Sequence, residues 1–137
     1  MFELDPCLEQ DSVFIIDLPL CQLRMENDQR FPWLLLIPRQ QGLVEVTELS
    51  AAQQQQLIQE SCRVSNALKK LTGCKKINVA SLGNVVAQLH WHVVARFESD
   101  AAWPGPVWGA GEAQPWNEKE RDEFIGALLH QLNLSAP

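Results

Sequence analysis

The sequence predicts an α+β fold in a single domain. Three observations carry this reading: five short strand-like segments, one long capped helix between the third and the fourth, and an amphipathic helix near the C-terminus. The length of 137 residues fits one domain. At this size folding buries roughly two thirds of the surface of the unfolded chain, enough for one sizeable core. Apolar residues make up 46% and charged residues 20%, which excludes a disordered chain and a coiled coil.

Asp5 to Gln10 reads as a short helix, with Asp5 as N-cap and Pro6 at the first helical position. Ser12 to Leu18 and Leu20 to Glu26 read as two strands broken at Asp17-Leu18-Pro19. Asn27 to Arg30 is polar and turn-like. Trp33 to Ile37 is continuously apolar, the pattern of a strand buried on both faces, and Pro38 ends it. Ser50-Ala51-Ala52-Gln53 is a capping box that opens the long helix. Leu57, Ser61, Val64, Leu68 and Leu71 follow at helical spacing with Ile58 and Cys62 beside them, and Gly73 is the expected C-terminal cap.

Lys75 to Leu82 and Gln88 to Phe97 read as the last two strands, with a turn at Gly83-Asn84. Ala101 to Pro115 holds Pro104, Pro106, Pro115 and three glycines, so regular structure is excluded. It also carries Trp103 and Trp108, with Trp116 just after, and is expected to lie ordered on its own sheet or on a partner subunit. Asn117 with Glu120 caps the final helix, whose apolar side is Phe124, Leu128 and Leu132.

The formal net charge is −6. Phosphate neutralisation drives general nucleic-acid binding, so an acidic chain is not expected to bind duplexes, although a small anionic ligand needs only a local site. No apolar run approaches the length that spans a bilayer. The N-terminus has neither a basic leader nor an apolar signal core, and a cytoplasmic protein is expected. Cys7, Cys21, Cys62 and Cys74 form no Cys-x-x-Cys pair, so they are expected to be buried or half-buried free thiols.

The chemistry concentrates in Gln88-Leu89-His90-Trp91-His92-Val93-Val94. On a strand, Gln88, His90 and His92 share one face at steps of about 7 Å. Three readings compete. Two imidazoles could bind a metal, but a third ligand is missing, because His130 lies on the distant C-terminal helix. They could merely decorate a half-exposed strand. They could also carry covalent catalysis, since a neutral imidazole attacks phosphorus well. Arg39 and Arg96 at strand ends read as solvated charges before phosphate ligands.

This segment resembles the signature of the histidine-triad (HIT) family, His-φ-His-φ-His-φ-φ with φ apolar. Asn78 and Gly83-Asn84 upstream, and Trp33 to Arg39 ending in Pro-Arg, are similar to the other family landmarks. The resemblance runs from about Leu20 to Trp103. It is nearest to bacterial HIT-like hydrolases related to diadenosine polyphosphate hydrolases. It implies an antiparallel sheet, a homodimer, no cofactor, and a nucleotide substrate cleaved at the α-phosphate through a nucleotidyl-histidine. By this resemblance His90 is the nucleophile and His92 contacts phosphate oxygens. Gln88 replaces the first histidine, whose backbone carbonyl orients the nucleophile in the family. Asn78, Gly83 and Asn84 match substrate-contacting positions, and Asn27 and Asp28 fall near the ribose-binding residue. Val85 stands where many members carry Ser or Thr. A nucleotide-binding protein of the same fold without activity is the alternative reading.

Overall fold

The computed structural model describes residues 1–137. Five antiparallel strands form one sheet in the order β1-β2-β3-β5-β4. They are β1 (Ser12–Asp17), β2 (Cys21–Glu26), β3 (Trp33–Pro38), β4 (Lys76–Ala80) and β5 (Trp91–Arg96). The helices are α1 (Pro6–Asp11), α2 (Ala51–Thr72) and α3 (Glu118–Gln131), with a single 3₁₀ turn at Val46–Glu48.

The local signals act as their chemistry requires. Asp5 accepts from the Cys7 amide at 2.8 Å and starts α1. Ser50 accepts from the Gln53 amide at 3.2 Å, and Gln53 returns an acceptor to the Ser50 amide at 3.0 Å. Gly73 ends α2 at φ +65°, a left-handed conformation that favours glycine. Asn117 caps α3 through two amides, those of Lys119 and Glu120.

β3 is buried along its whole length and divides the core in two. On one face Leu23, Leu34, Leu36 and Val93 pack against Leu57, Val64 and Leu68 of α2, with Leu128, Leu129 and Leu132 behind. On the other face Leu8, Phe31, Trp33, Leu35, Ile37, Val94 and Val107 form a smaller cluster. The 101–116 segment lies on its own protomer, over the 27–31 turn. Gln29 donates to the Gln114 carbonyl at 2.7 Å, and the Trp116 amide donates to Asn27 at 2.9 Å.

Several expectations need correction. β4 ends at Ala80 and β5 begins at Trp91, so residues 81–90 form a loop of ten rather than a tight turn. Ile58 and Cys62 are exposed on α2, and Cys7 is exposed on α1, whereas Cys21 is buried; all four thiols are free. Glu60, polar and on α2, is buried because its carboxylate accepts the Leu20 and Cys21 amides at 2.8 and 2.9 Å. It caps the β1–β2 turn from across the core. Arg96 is neither a solvated charge nor a phosphate ligand: it is buried and paired with Asp100. Arg39 spends its guanidinium on the Leu18, Cys21 and Pro19 carbonyls. No helix is long and apolar enough to cross a membrane.

Candidate active site

The site is built where the small cluster meets the 81–90 loop. Strand pairing sets Leu35 opposite His92 and Trp33 opposite Val94. Trp33 and His92 are thus diagonal neighbours on one face. The loop returns to the sheet through the Leu89 amide, which donates to the Leu43 carbonyl at 2.9 Å. That contact sets His90 beside His92, ring centroids 4.9 Å apart and nearly perpendicular.

A cleft of about 420 Å³ opens over the two rings, a volume suited to a small ligand. Its floor is Trp33, His90 and His92. The loop lines one wall with Leu82, Gly83, Asn84, Val85 and Val86, Cys7, Leu8 and Asp11 of α1 line another, and Glu26 and Trp108 complete the lining, Trp108 edge-on to His92 at 5.1 Å. Gly83 holds φ +81° where the loop bends back, with the Val86 carbonyl 3.5 Å from where a Cβ would stand. No lysine or arginine lines the cleft.

The two rings are oriented by different partners. His90 Nδ1 lies 2.7 Å from the Gln88 backbone carbonyl. A carbonyl only accepts, so Nδ1 carries the proton and, in the neutral ring, Nε2 holds the lone pair. His92 Nδ1 accepts from the Trp33 indole Nε1 at 2.9 Å. Neither Nε2 has a protein partner, and neither is among the buried unpartnered atoms, which are the indole nitrogens of Trp108 and Trp116. Both Nε2 atoms therefore stand open to a ligand. Burial, and then the neighbouring His90, lower the His92 pKa to about 3. Glu26 goes the other way: burial, then Asp11 and Asp28, raise its carboxyl to about 7.

The sequence-derived site residues divide into two groups. His90, His92, Gly83 and Asn84 come together in the cleft, with Gln88 present through its backbone. Asn27, Asp28 and Asn78 do not line it. Asn27 accepts the Trp116 amide at 2.9 Å. Asp28 is buried, binds Arg30 at 2.7 Å and accepts the Gln114 amide at 3.3 Å. Burial alone would raise the Asp28 pKa, but Arg30 and these amides hold it below its ordinary value. Asn78 accepts from Arg96 at 2.8 Å. Asn27 and Asp28 brace the C-terminal segment, and Asn78 braces Arg96 at the end of β5.

The side chain of Gln88 also departs from the strand-face expectation. Residue 88 precedes β5, so strand alternation does not apply to it. Its amide turns away from the cleft, accepting from the Asp5 amide at 2.8 Å and donating to the Glu3 carbonyl at 2.9 Å. Gln41 accepts the Glu3 amide at 2.8 Å in the same clamp. The side chain that stands in place of a histidine thus ties down the arm that leads into α1 and its cleft wall. Gln88→Ala is expected to cost about 1 to 2 kcal/mol in stability, the net worth of one or two such hydrogen bonds. Amide exchange at Asp5 should accelerate in that variant, and unchanged exchange would show that the clamp carries no weight.

Reading the sequence for single motifs missed Glu26, Trp33 and the α1 wall. The signal for Glu26 was present. Gln22, Arg24 and Glu26 alternate with Cys21, Leu23 and Met25, and the β2–β3 pairing puts the polar set on the Trp33 face. Of the tryptophans in the irregular segment, Trp108 reaches the cleft, while Trp103 lies over the Arg96 guanidinium at 5.8 Å.

Residues 8–99 match the HIT domain family. Among solved structures the chain is similar to a histidine triad protein from Sinorhizobium meliloti 1021, at 48% identity and a TM-score of 0.94, covering 95% of this chain and 96% of that chain. It is similar to a histidine triad protein from Bradyrhizobium japonicum at 45% identity and a TM-score of 0.94, covering 96% and 98%. A histidine triad protein from Marinobacter aquaeolei VT8 aligns at 40% identity and a TM-score of 0.94, covering 97% of both chains. No curated protein matches the chain significantly. The chain belongs to the HIT domain family, whose members generally bind nucleotides and act as hydrolases or transferases.

Proposed function

We propose that the cleft binds a nucleoside phosphate and that His90 attacks its α-phosphorus, making the protein a nucleotide hydrolase or nucleotidyl transferase. One observation carries this reading: the 2.7 Å contact of His90 Nδ1 with the Gln88 carbonyl leaves Nε2 as an oriented, open nucleophile. In the first step the Nε2 lone pair forms a bond to phosphorus and the bond from phosphorus to the leaving group breaks, its electron pair departing with the leaving group. In the second step water or another acceptor attacks phosphorus, the phosphorus–nitrogen bond breaks, and the acceptor's proton is released. His92 donates from Nε2 to a phosphate oxygen as negative charge builds. Glu26 and Asp11 face the nucleoside end, where hydroxyl groups need acceptors.

The charge of the lining bears on the substrate. With two carboxyl groups and no lysine or arginine, the cleft favours a single bound phosphate over a long polyphosphate tail, whose added charges would lie uncompensated. A homodimer is part of the same proposal. β4 is an edge strand that carries the exposed apolar Val79, which a second copy would cover, whereas the exposed Leu82 and Val85 nearby line the cleft itself. The four free thiols fit a reducing compartment such as the cytoplasm.

The test is a panel of nucleoside phosphates incubated with the protein and followed by intact mass. A nucleotidyl adduct that disappears in His90→Ala is the expected result, and it should form equally in EDTA, since no step uses a metal. A protein that binds nucleoside monophosphate but never forms an adduct or releases product is a binding module, and the enzymatic reading then fails.

A further inference from the structure

The geometry points to Trp33 as a positioning residue that fixes which nitrogen of His92 carries the proton, and thereby keeps His92 a neutral hydrogen-bond donor to the phosphate. The inference rests on the proposed reaction for its consequence, but not for its structural half. An indole N–H can only donate. The 2.9 Å contact from Trp33 Nε1 therefore makes His92 Nδ1 an acceptor and sends the ring proton to Nε2. Here the partner is rigid and both residues are buried, Trp33 at 8% and His92 at 6% exposed.

Trp33 is itself held. It lies on a strand bonded on both sides, edge-on to Phe31 at 6.3 Å and to Trp108 at 5.9 Å. Protonating His92 at Nδ1 would set two N–H groups against each other inside this cluster, so the indole opposes a charged ring as firmly as it opposes the wrong tautomer. The titratable groups that face the cleft around His92 are His90 from the loop, Glu26 from β2, and Cys7 and Asp11 from α1. None of them makes a hydrogen bond to His92. The low pKa of His92, set by burial and by His90, agrees with a ring that stays neutral across the working range.

The consequence is a division of labour. His90 presents a lone pair at Nε2, and His92 beside it presents a proton at Nε2. Two adjacent imidazoles with both Nε2 atoms in the same state would give either two competing nucleophiles or none. The carbonyl of Gln88 sets the first ring and the indole of Trp33 sets the second. His92 is thus a donor that stabilises charge on the phosphate and does not act as a base.

The test uses Trp33→Phe, which keeps an aromatic ring and removes the N–H. In the wild type, nitrogen NMR of isotope-labelled protein should show His92 with a pyrrole-type Nε2 and a through-bond coupling between Trp33 Nε1 and His92 Nδ1. In Trp33→Phe, His92 should become a mixture of tautomers and kcat should fall about 10- to 100-fold, with KM changing much less. The kcat deficit of the variant should narrow at acid pH, where protonation of the freed ring puts a proton on both nitrogens and restores the Nε2 donor. A wild-type His92 protonated at Nδ1 overturns the proposal even if the variant does not fold. So does a Trp33→Phe protein in which tautomer or kcat is unchanged. If the wild type forms no nucleotidyl adduct, the reaction of the preceding section fails, and the dissociation constant for adenosine monophosphate replaces kcat. It should then rise in Trp33→Phe, and an unchanged value would overturn the inference on its own.

Discussion

Replacing His90 by alanine is expected to abolish turnover, by about a thousandfold or more, because the one imidazole whose Nε2 lone pair is oriented toward the cleft is lost. The ring offers an unpartnered Nε2 to the cleft, and its Nδ1 is spent on the Gln88 carbonyl. Removing it leaves a carbonyl at the cleft floor that water can satisfy, so folding should survive. A matched far-ultraviolet circular dichroism spectrum would check this. His92→Ala should cost less, about 10²- to 10³-fold, the usual loss for one donor to a developing charge. It also leaves the buried Trp33 indole without an acceptor, so part of its effect will be structural. Full activity in His90→Ala beside an unaltered spectrum would end the covalent mechanism.

How much of this was legible beforehand depends on the range of the interactions. The caps of α1, α2 and α3 are contacts within a few residues, and each could be read from Asp5, Ser50 with Gln53, and Asn117. The burial of Trp33 to Ile37 followed from an unbroken apolar run. His90 and His92 were readable because the motif itself places them. The partners of Gln88 were not, since its amide reaches Glu3 and Asp5, 85 and 83 residues away. Asn27, Asp28 and Asn78 carry the right chemistry for a ligand, but their oxygens are taken by the C-terminal segment and by Arg96. The tryptophan-rich region supplies the donor to Asn27 and one of those to Asp28, whose others come from Arg30, and nothing in its irregular sequence says where it docks. Trp33 read as core and is core; its second role appears only once β3 is paired with β5.

The same docking produces the largest expected effect on stability, at Asp100. Its carboxylate meets the Arg96 guanidinium at 2.9 and 3.1 Å, with both side chains almost fully buried. It also accepts the amides of Phe97, Ala102 and Trp103 at 3.0, 3.1 and 2.8 Å. Arg96 in turn donates to Asn78 and to the Gly105 carbonyl and lies over the Phe31 and Trp103 rings. Asp100→Ala leaves that guanidinium buried without its counter-charge and frees three amides at once. Such a loss typically costs about 3 to 5 kcal/mol. Asp100→Asn, which keeps one acceptor oxygen, should cost less. The pH dependence has a definite sign. Burial would raise the Asp100 pKa, but Arg96 and the three amides prevail and hold it at about 2, below the ordinary 3.8. The carboxylate's contribution is therefore complete above the ordinary value and fades as pH falls through about 2. Urea unfolding of wild type and Asp100→Asn should show a wide gap at neutral pH that narrows steadily below pH 4. A gap that stays constant down to pH 2 would mean that the Arg96 pairing contributes nothing to stability and that the segment carrying Trp108 is held over the cleft by its contacts with the 27–31 turn.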